Sequence, residues 1–218
     1  GYYLAERPQF TLDPFFHSGC YYVQEASSMF IEQILQQYVS RDSIVLDLCA
    51  APGGKSTLIS QYLGGEGLLI SNEVVRQRVF VLSENIQKWG NGNVLVTHNT
   101  AEDFGERTRG LFDRMLIDAP CSGEGMFRRD PQTIEEWNES LPVFNHIRQL
   151  EILKQADKML KTGGYLLYST CTFNTTENEQ TVLEFCDQYG YDVCEIEERI
   201  KKITRDGISL DGKHDLKQ

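Results

Sequence analysis

The 218-residue chain is 40% hydrophobic and 24% charged, enough apolar content for one domain with a sizeable core. Its formal net charge of −11, taken alone, argues against a nucleic-acid partner, because phosphate binding ordinarily leaves a basic footprint. No apolar run approaches the roughly 18 residues needed to cross a membrane, and no signal-peptide pattern opens the chain.

The six cysteines are Cys20, Cys49, Cys121, Cys171, Cys186 and Cys194. They form no C-x-x-C pair and no zinc spacing, so no metal site is expected. A disulfide framework is not expected at this size and cysteine density. A reducing cytoplasm and a monomer are the default expectations, with the thiols free for chemistry or packing. The chain begins at Gly1 with ordinary sequence, which reads as a fragment of a longer protein.

Residues 1–40 read as a lead-in segment packing on a core domain that spans 41–200. Within the core, Ser43–Ala50 (SIVLDLCA) is expected as a buried strand and Gly54–Leu63 as a helix closed by Gly64-Gly65. Gly67–Glu73 is a second strand, Val75–Gly90 a helix with a glycine stop, and Asn93–Asn99 a third strand. Phe112–Asp118 is a fourth strand. Asn145–Lys161 has apolar residues at helical spacing and is followed by Gly163-Gly164 as its stop. Tyr165–Cys171 is a fifth strand, Thr176–Gly190 a helix with a Thr176/Glu179 capping box, and Tyr191–Glu197 a further strand. Residues 201–218 read as a polar, disordered tail.

Strands alternating with helices predict an α/β fold, a mostly parallel sheet with helices on both faces. Ligands of such sheets bind beyond the carboxyl ends of the strands. Those ends carry Asp47, Cys49, Glu73, Asn99, Asp118, Thr170 and Cys171.

The loop DLCAAPGGKST after the first strand ends like a nucleoside-triphosphate loop, but Cys49 stands where its leading glycine is needed. The dinucleotide fingerprint is absent as well. What remains is a small-residue turn onto a helix N-terminus, whose backbone a ligand can approach. Glu73, at the end of the second strand, can accept both hydroxyls of a ribose. A ribose clamp without a pyrophosphate fingerprint points to S-adenosylmethionine; the competing reading is that Gly53 and Gly54 merely make a tight turn.

DLCAAPGGKST, DAPCSGEG and YSTCTFNTTENE, in this order, resemble the motifs of the RNA cytosine-C5 methyltransferases. HSGCYYVQEASSM (His17–Met29) is similar to the segment preceding their cofactor loop, and the resemblance runs over about residues 14–190. The branch it most resembles is that of the bacterial 16S ribosomal RNA enzymes of the RsmF type; tRNA branches share most of the motifs. It implies a Rossmann-like methyltransferase fold with one antiparallel strand near the sheet edge and S-adenosylmethionine as methyl donor. By that resemblance Cys49, Ala50, Ala51, Pro52, Gly53, Gly54 and Lys55 hold the cofactor and Glu73 its ribose, with Asp118 also facing the cofactor. Asn99 and Thr100 stand where the family often has an aspartate beside the adenine. The family's last edge strand is expected to be missing, since the sequence after Tyr191–Glu197 is polar.

Cytosine C5 is a poor nucleophile until a thiolate adds to C6, and the target base must leave its stack to be reached. The resemblance makes Cys171 the attacking thiol and gives Cys121 the release of product. Asp118 is placed to hydrogen-bond the N3 or N4 edge of the base, against the plainer reading of a capping acid. Lys55 reads either as a contact to base or phosphate or as a solvent-facing lysine. Arg128 and Arg129 read either as phosphate contacts or as solvated surface residues. Cys20, Cys49, Cys186 and Cys194 are expected to be packing residues, and His17, His98 and His146 have no catalytic role. The acidic charge is reconciled with an RNA partner, 16S ribosomal RNA foremost, by a local basic groove or by RNA-binding segments outside this chain. The alternatives are a tRNA substrate and a non-catalytic RNA-binding assembly factor.

Overall fold

A computed structural model describes residues 1–2, 4–6, 8–205 and 207–208. In chain order the helices and strands are α1 (Pro14–His17), α2 (Ala26–Met29), α3 (Ile31–Tyr38), β1 (Ile44–Asp47), α4 (Gly54–Leu63), β2 (Leu68–Asn72), α5 (Arg76–Trp89) and β3 (Val94–Thr97). They continue with α6 (Ala101–Arg107), β4 (Phe112–Asp118), α7 (Gln132–Glu136), α8 (Leu141–Met159), β5 (Leu160–Ser169), a π-helical turn (Thr176–Gln180), α9 (Thr181–Tyr189) and α10 (Glu198–Lys201).

The sheet has five strands in the order β3-β2-β1-β4-β5, and every pairing is parallel. The chain winds outward from β1 through β2 to β3, then returns to β4 on the other side of β1. The switch point therefore lies between the carboxyl ends of β1 and β4, where open α/β sheets bind ligands.

Successive side chains alternate between the two faces. Val45, Leu69 and Leu116 pack with Ile31 and Leu35 of α3 and Ile59 and Leu63 of α4. Leu46, Ile70, Met115 and Ile117 point the other way, onto Phe104 of α6, Leu153, Ala156 and Met159 of α8, and Phe185 of α9. Leu46, Leu69, Phe112 and Ile117 are fully buried, each burial contributing roughly 1.5–3 kcal/mol. The central strand β1 and its neighbour β2 open as continuous apolar runs because both faces are covered there.

The structure departs from the sequence expectations in several places. Strand β1 stops at Asp47, and residues 48–50 turn away, with Ala50 N donating to Asn72 O at 2.8 Å. Gly163 and Gly164 do not end a helix. Helix α8 stops at Met159, Leu160 is already extended, and both glycines lie inside β5, where Phe112 pairs with Leu160. Cys171 thus falls two residues beyond the end of β5, on a loop. The Thr176/Glu179 capping box does not form; Asn174 Oδ1 accepts from Glu177 N at 2.9 Å ahead of a π-helical turn. Helix α6 was not foreseen, and it is capped by Thr100, whose Oγ1 accepts from Asp103 N at 3.1 Å.

Residues 191–197 are not a strand. Their backbone is held by side chains of α3 instead, with Gln37 Nε2 donating to Glu195 O at 3.0 Å and Glu197 N donating to Gln37 Oε1 at 3.1 Å. No antiparallel strand borders the sheet among the described residues. Ile200 of α10, the last residue of the expected core domain, is buried, and residues 206 and 209–218 of the expected tail lie outside the described residues. Cys20 and Cys194 are exposed rather than packed, and Cys186 is half-buried.

Candidate active site

Asp47, at the end of β1, is wholly buried. Its Oδ2 accepts from Ser56 Oγ at 2.6 Å, while Oδ1 has no hydrogen-bond partner. Burial, seconded by the nearby Asp118 and Glu73 carboxylates, pushes its carboxyl up to about 7 against the Ser56 hydrogen bond. The loop that follows is tied back to α5, since Arg78 Nη2 donates to Ala51 O at 2.5 Å and Asn85 Nδ2 to Pro52 O at 2.8 Å. Gly53 turns the loop into α4 with φ +113°, where a Cβ would also approach Leu82 Cδ1 to 3.2 Å; only glycine adopts this turn without strain. Burial pushes the Cys49 thiol up to about 12, so it is a protonated packing residue at neutral pH.

Glu73 follows β2 and is 2% exposed. Its Oε1 accepts from Val75 N at 2.9 Å. Its Oε2 lies 3.2 Å from Arg78 Nη1, an ion pair without hydrogen-bond geometry, so this buried oxygen keeps its acceptor capacity. Arg78, linking Glu73 to the loop carbonyl of Ala51, was missed by sequence reasoning; its position on the first turn of α5 was the only signal. Asn99 is half-buried beside them, its backbone N and O both bonded to the Asn72 side chain. Thr100 is committed to capping α6, which leaves Asn99 as the polar side chain at that end of β3.

Across the switch point Lys55 Nζ is 2.5 Å from Asp118 Oδ2, and Ser169 Oγ donates to Asp118 Oδ1 at 2.7 Å. The register explains both contacts: β1 lies beside β4, and Asp118 pairs with Ser169 of β5. Lys55 is therefore turned into the site, its side chain 19% exposed.

Next to this pair, Cys121 Sγ and Cys171 Sγ are 3.3 Å apart. Cys171 is exposed and Cys121 half-buried. The hydrogen bond from Cys121 brings the Cys171 thiol down from 9.0 to about 7, with Lys55 assisting against burial and the Asp118 charge. The same bond, together with burial, raises Cys121 far above the ordinary thiol range. The two thiols are thus driven apart in proton affinity, Cys171 toward the thiolate and Cys121 toward the protonated form. Alkylation of Cys171 is expected to titrate with a midpoint near 7. In Cys121→Ala that partner is gone, and the midpoint should move up toward the ordinary thiol value of 9.0; an unchanged midpoint by mass-resolved iodoacetamide labelling would refute the coupling.

Of the other sequence candidates, Arg128 and Arg129 are exposed, and Arg129 pairs with Glu25 at 3.1 Å. His17 and His98 bond to backbone carbonyls, and His146 Nδ1 lies 2.8 Å from Thr181 Oγ1. No helix among the described residues is long and apolar enough to cross a membrane.

A parallel sheet switching at β1/β4, a small-residue loop and acidic groups at its ends, and paired thiols beside them define a Rossmann-like methyltransferase domain. The family model described as 16S rRNA methyltransferase RsmB/F matches residues 32–207, and the chain belongs to that family. Among relatives, it is 41% identical over 172 residues to ribosomal RNA small subunit methyltransferase F of Enterobacter sp. (strain 638), covering 79% of this chain and 36% of that one. It is 42% identical over 176 residues to the protein of the same name from Aeromonas salmonicida, covering 79% and 37%. The chain thus spans little more than a third of the length of these curated relatives. Among solved structures, NSun6 from Pyrococcus horikoshii with SFG superposes with TM-score 0.74 at 31% identity, covering 84% of this chain and 46% of that one. A methyltransferase homolog protein from the same organism gives 0.67 at 33% identity, covering 84% and 56%.

Proposed function

We propose that the protein methylates C5 of a cytosine in RNA, 16S ribosomal RNA foremost, with S-adenosylmethionine as donor. The observation that carries this reading is the pair of thiols 3.3 Å apart beside the Lys55–Asp118 ion pair. Addition to a pyrimidine ring needs a thiolate, and elimination from it needs a second group that can take the C5 proton; two thiols of opposed proton affinity can fill both places. The names of the curated relatives favour a small-subunit RNA over tRNA.

The residues present fit the cofactor. The buried oxygens Asp47 Oδ1 and Glu73 Oε2 lack hydrogen bonds, which suits a ligand rich in hydroxyl and amino donors, and the turn at Gly53 lets backbone come close to it. Residues Cys49 to Lys55, Glu73, Asn99 and Asp118 would line that ligand. S-adenosylmethionine supplies an electrophilic methyl group. SFG, bound in a solved relative, is an analogue of it.

Cys171 adds as thiolate to C6 of the cytosine; the C5–C6 π pair shifts to C4–C5 and the C4–N3 pair to N3, which takes a proton from solvent, and the resulting enamine makes C5 nucleophilic. Asp118, steered by Lys55 and Ser169, hydrogen-bonds the N3–N4 edge. After methyl transfer the C5 proton leaves and the Cys171–C6 bond breaks. Once the Cys171 sulfur is bonded to carbon it no longer holds Cys121 as a hydrogen-bond donor; Cys121 then gives its own proton to solvent and, as thiolate, takes the C5 proton, while the C5–H electron pair re-forms the C5–C6 double bond and Cys171 departs as thiolate.

Transfer of tritiated methyl groups to naked 16S RNA, small ribosomal subunits and tRNA tests the proposal. Incorporation into 16S RNA or the subunit is expected, and Glu73→Ala should weaken S-adenosylmethionine binding by about tenfold or more in calorimetry, the loss of one charged hydrogen-bonding group. No incorporation into any of the three RNAs would overturn it.

A further inference from the structure

Both thiols sit on loops. Strand β4 ends three residues before Cys121 and β5 two residues before Cys171, so neither strand sets the distance between the two sulfurs. What does so is visible just beneath them. Glu177, on the π-helical turn, is 0% exposed. Its carboxylate accepts from Ser122 N (3.0 and 3.2 Å to the two oxygens), Asn174 Nδ2 (2.8 Å) and Gln149 Nε2 of α8 (2.9 Å). Ser122 adjoins Cys121, and Asn174 belongs to the loop that carries Cys171. One buried carboxylate thus clamps the two cysteine loops to each other and to α8.

We propose that Glu177 is the positioning residue that holds Cys121 and Cys171 at reacting distance. The inference rests on the reading of these thiols as the reacting pair. A carboxylate that served only its own helix would accept from that helix's first amides. None of the three donors to Glu177 comes from its own turn, and no cation lies within ion-pair distance of it among the described residues. A buried anion costs stability unless its oxygens are well satisfied, and here the donors that satisfy it are those that fix the loops. A second layer of contacts closes over it toward solvent: Ser122 Oγ lies 2.9 Å from Thr172 Oγ1, Gly125 N donates to Cys171 O at 2.7 Å, and Glu124 Oε2 accepts from Phe173 N at 2.8 Å. Gly125 is required for that approach, because a Cβ there would lie 2.4 Å from Cys171 O.

In Glu177→Gln the amide keeps shape and volume but turns one acceptor into a donor facing donors, so at least one loop contact is lost. Three measurements on the purified protein follow: melting temperature, the pH profile of Cys171 alkylation, and the rate at which a diazene oxidant such as diamide closes a Cys121–Cys171 disulfide. That closure takes two electrons and two protons from the thiols and reduces the diazene to the hydrazine. We expect E177Q to raise the alkylation midpoint above 7 and to slow disulfide closure. With RNA, kcat should fall on the order of 10²-fold, the effect of an ångström-scale misplacement, with little change in KM. Asn174→Ala, at a half-buried loop position, should give the same signature if E177Q fails to fold. A lowered melting temperature with unchanged alkylation midpoint and closure rate, in whichever variant folds, would show mere structural glue and overturn the proposal. The alkylation and disulfide readouts need no RNA, so they decide the role of Glu177 even if the wild-type protein transfers no methyl group to any RNA tested.

Discussion

Cys171→Ala should abolish methyl transfer and leave no covalent protein–RNA band on a denaturing gel. Without the thiolate, C5 of cytosine has no route to nucleophilicity, and neither Cys121 nor Lys55 can substitute. Cys121 sits on the other loop and is half-buried where Cys171 is exposed, and Lys55 is engaged by Asp118 at 2.5 Å. Deletion of a covalent nucleophile costs on the order of 10⁶-fold in kcat, so incorporation should fall to background. The cofactor side should be untouched, because Cys171 makes no contact with the Cys49–Lys55 loop or Glu73 among the hydrogen bonds and ion pairs of the structure. Calorimetric affinity for S-adenosylmethionine should therefore stay within about twofold of wild type, as for independent sites. Retained transfer in this variant would remove Cys171 from the nucleophile's role.

The parts of the fold legible in the sequence were those where local pattern and global packing agree. Phe112–Asp118 and Gly54–Leu63 match their observed bounds, the first because the apolar run Met115–Ile117 lies between turn-forming segments, the second because Gly53 and Gly64 punctuate it. The Gly163-Gly164 pair misled, because glycine marks a sharp change of direction without saying whether a helix or a strand is being bent. The apolar residues of 191–197 misled in another way: alternation permits a strand, but only a free partner edge makes one, and Gln37 and Tyr38 of α3 occupy the backbone of Glu195 instead. The candidate residues at strand ends could be named from sequence; their contacts could not. Lys55 meets Asp118, and Cys121 meets Cys171, only because β4 inserts between β1 and β5. Glu177 was read as part of a helix, since nothing local announces that three donors from distant segments converge on it.

Cys121→Ala should produce the opposite phenotype from Cys171→Ala: a protein trapped on its RNA. Attack at C6 and methyl transfer need only the Cys171 thiolate and a held base, and both survive the loss of Cys121. The raised Cys171 midpoint slows attack somewhat at pH 7, and raising the pH should restore that step. Release is different. It requires removal of the C5 proton, and among the described residues the thiol within bonding reach of the reacting sulfur is Cys121, at 3.3 Å. While Cys171 is a free thiolate, Cys121 keeps its proton by donating to it; when Cys171 is tied to carbon, that stabilisation vanishes, Cys121 can release its proton to solvent, and the thiolate so formed is a competent base. Alanine offers no such group, so the methylated adduct should persist. The expected result is a slow-migrating band, labelled by tritiated methyl groups, with one round of transfer and no turnover. A band that carries RNA but no methyl label would place the block before transfer and assign Cys121 to activation of Cys171 alone. A labelled band in Cys171→Ala, with none in Cys121→Ala, would exchange the roles of the two thiols.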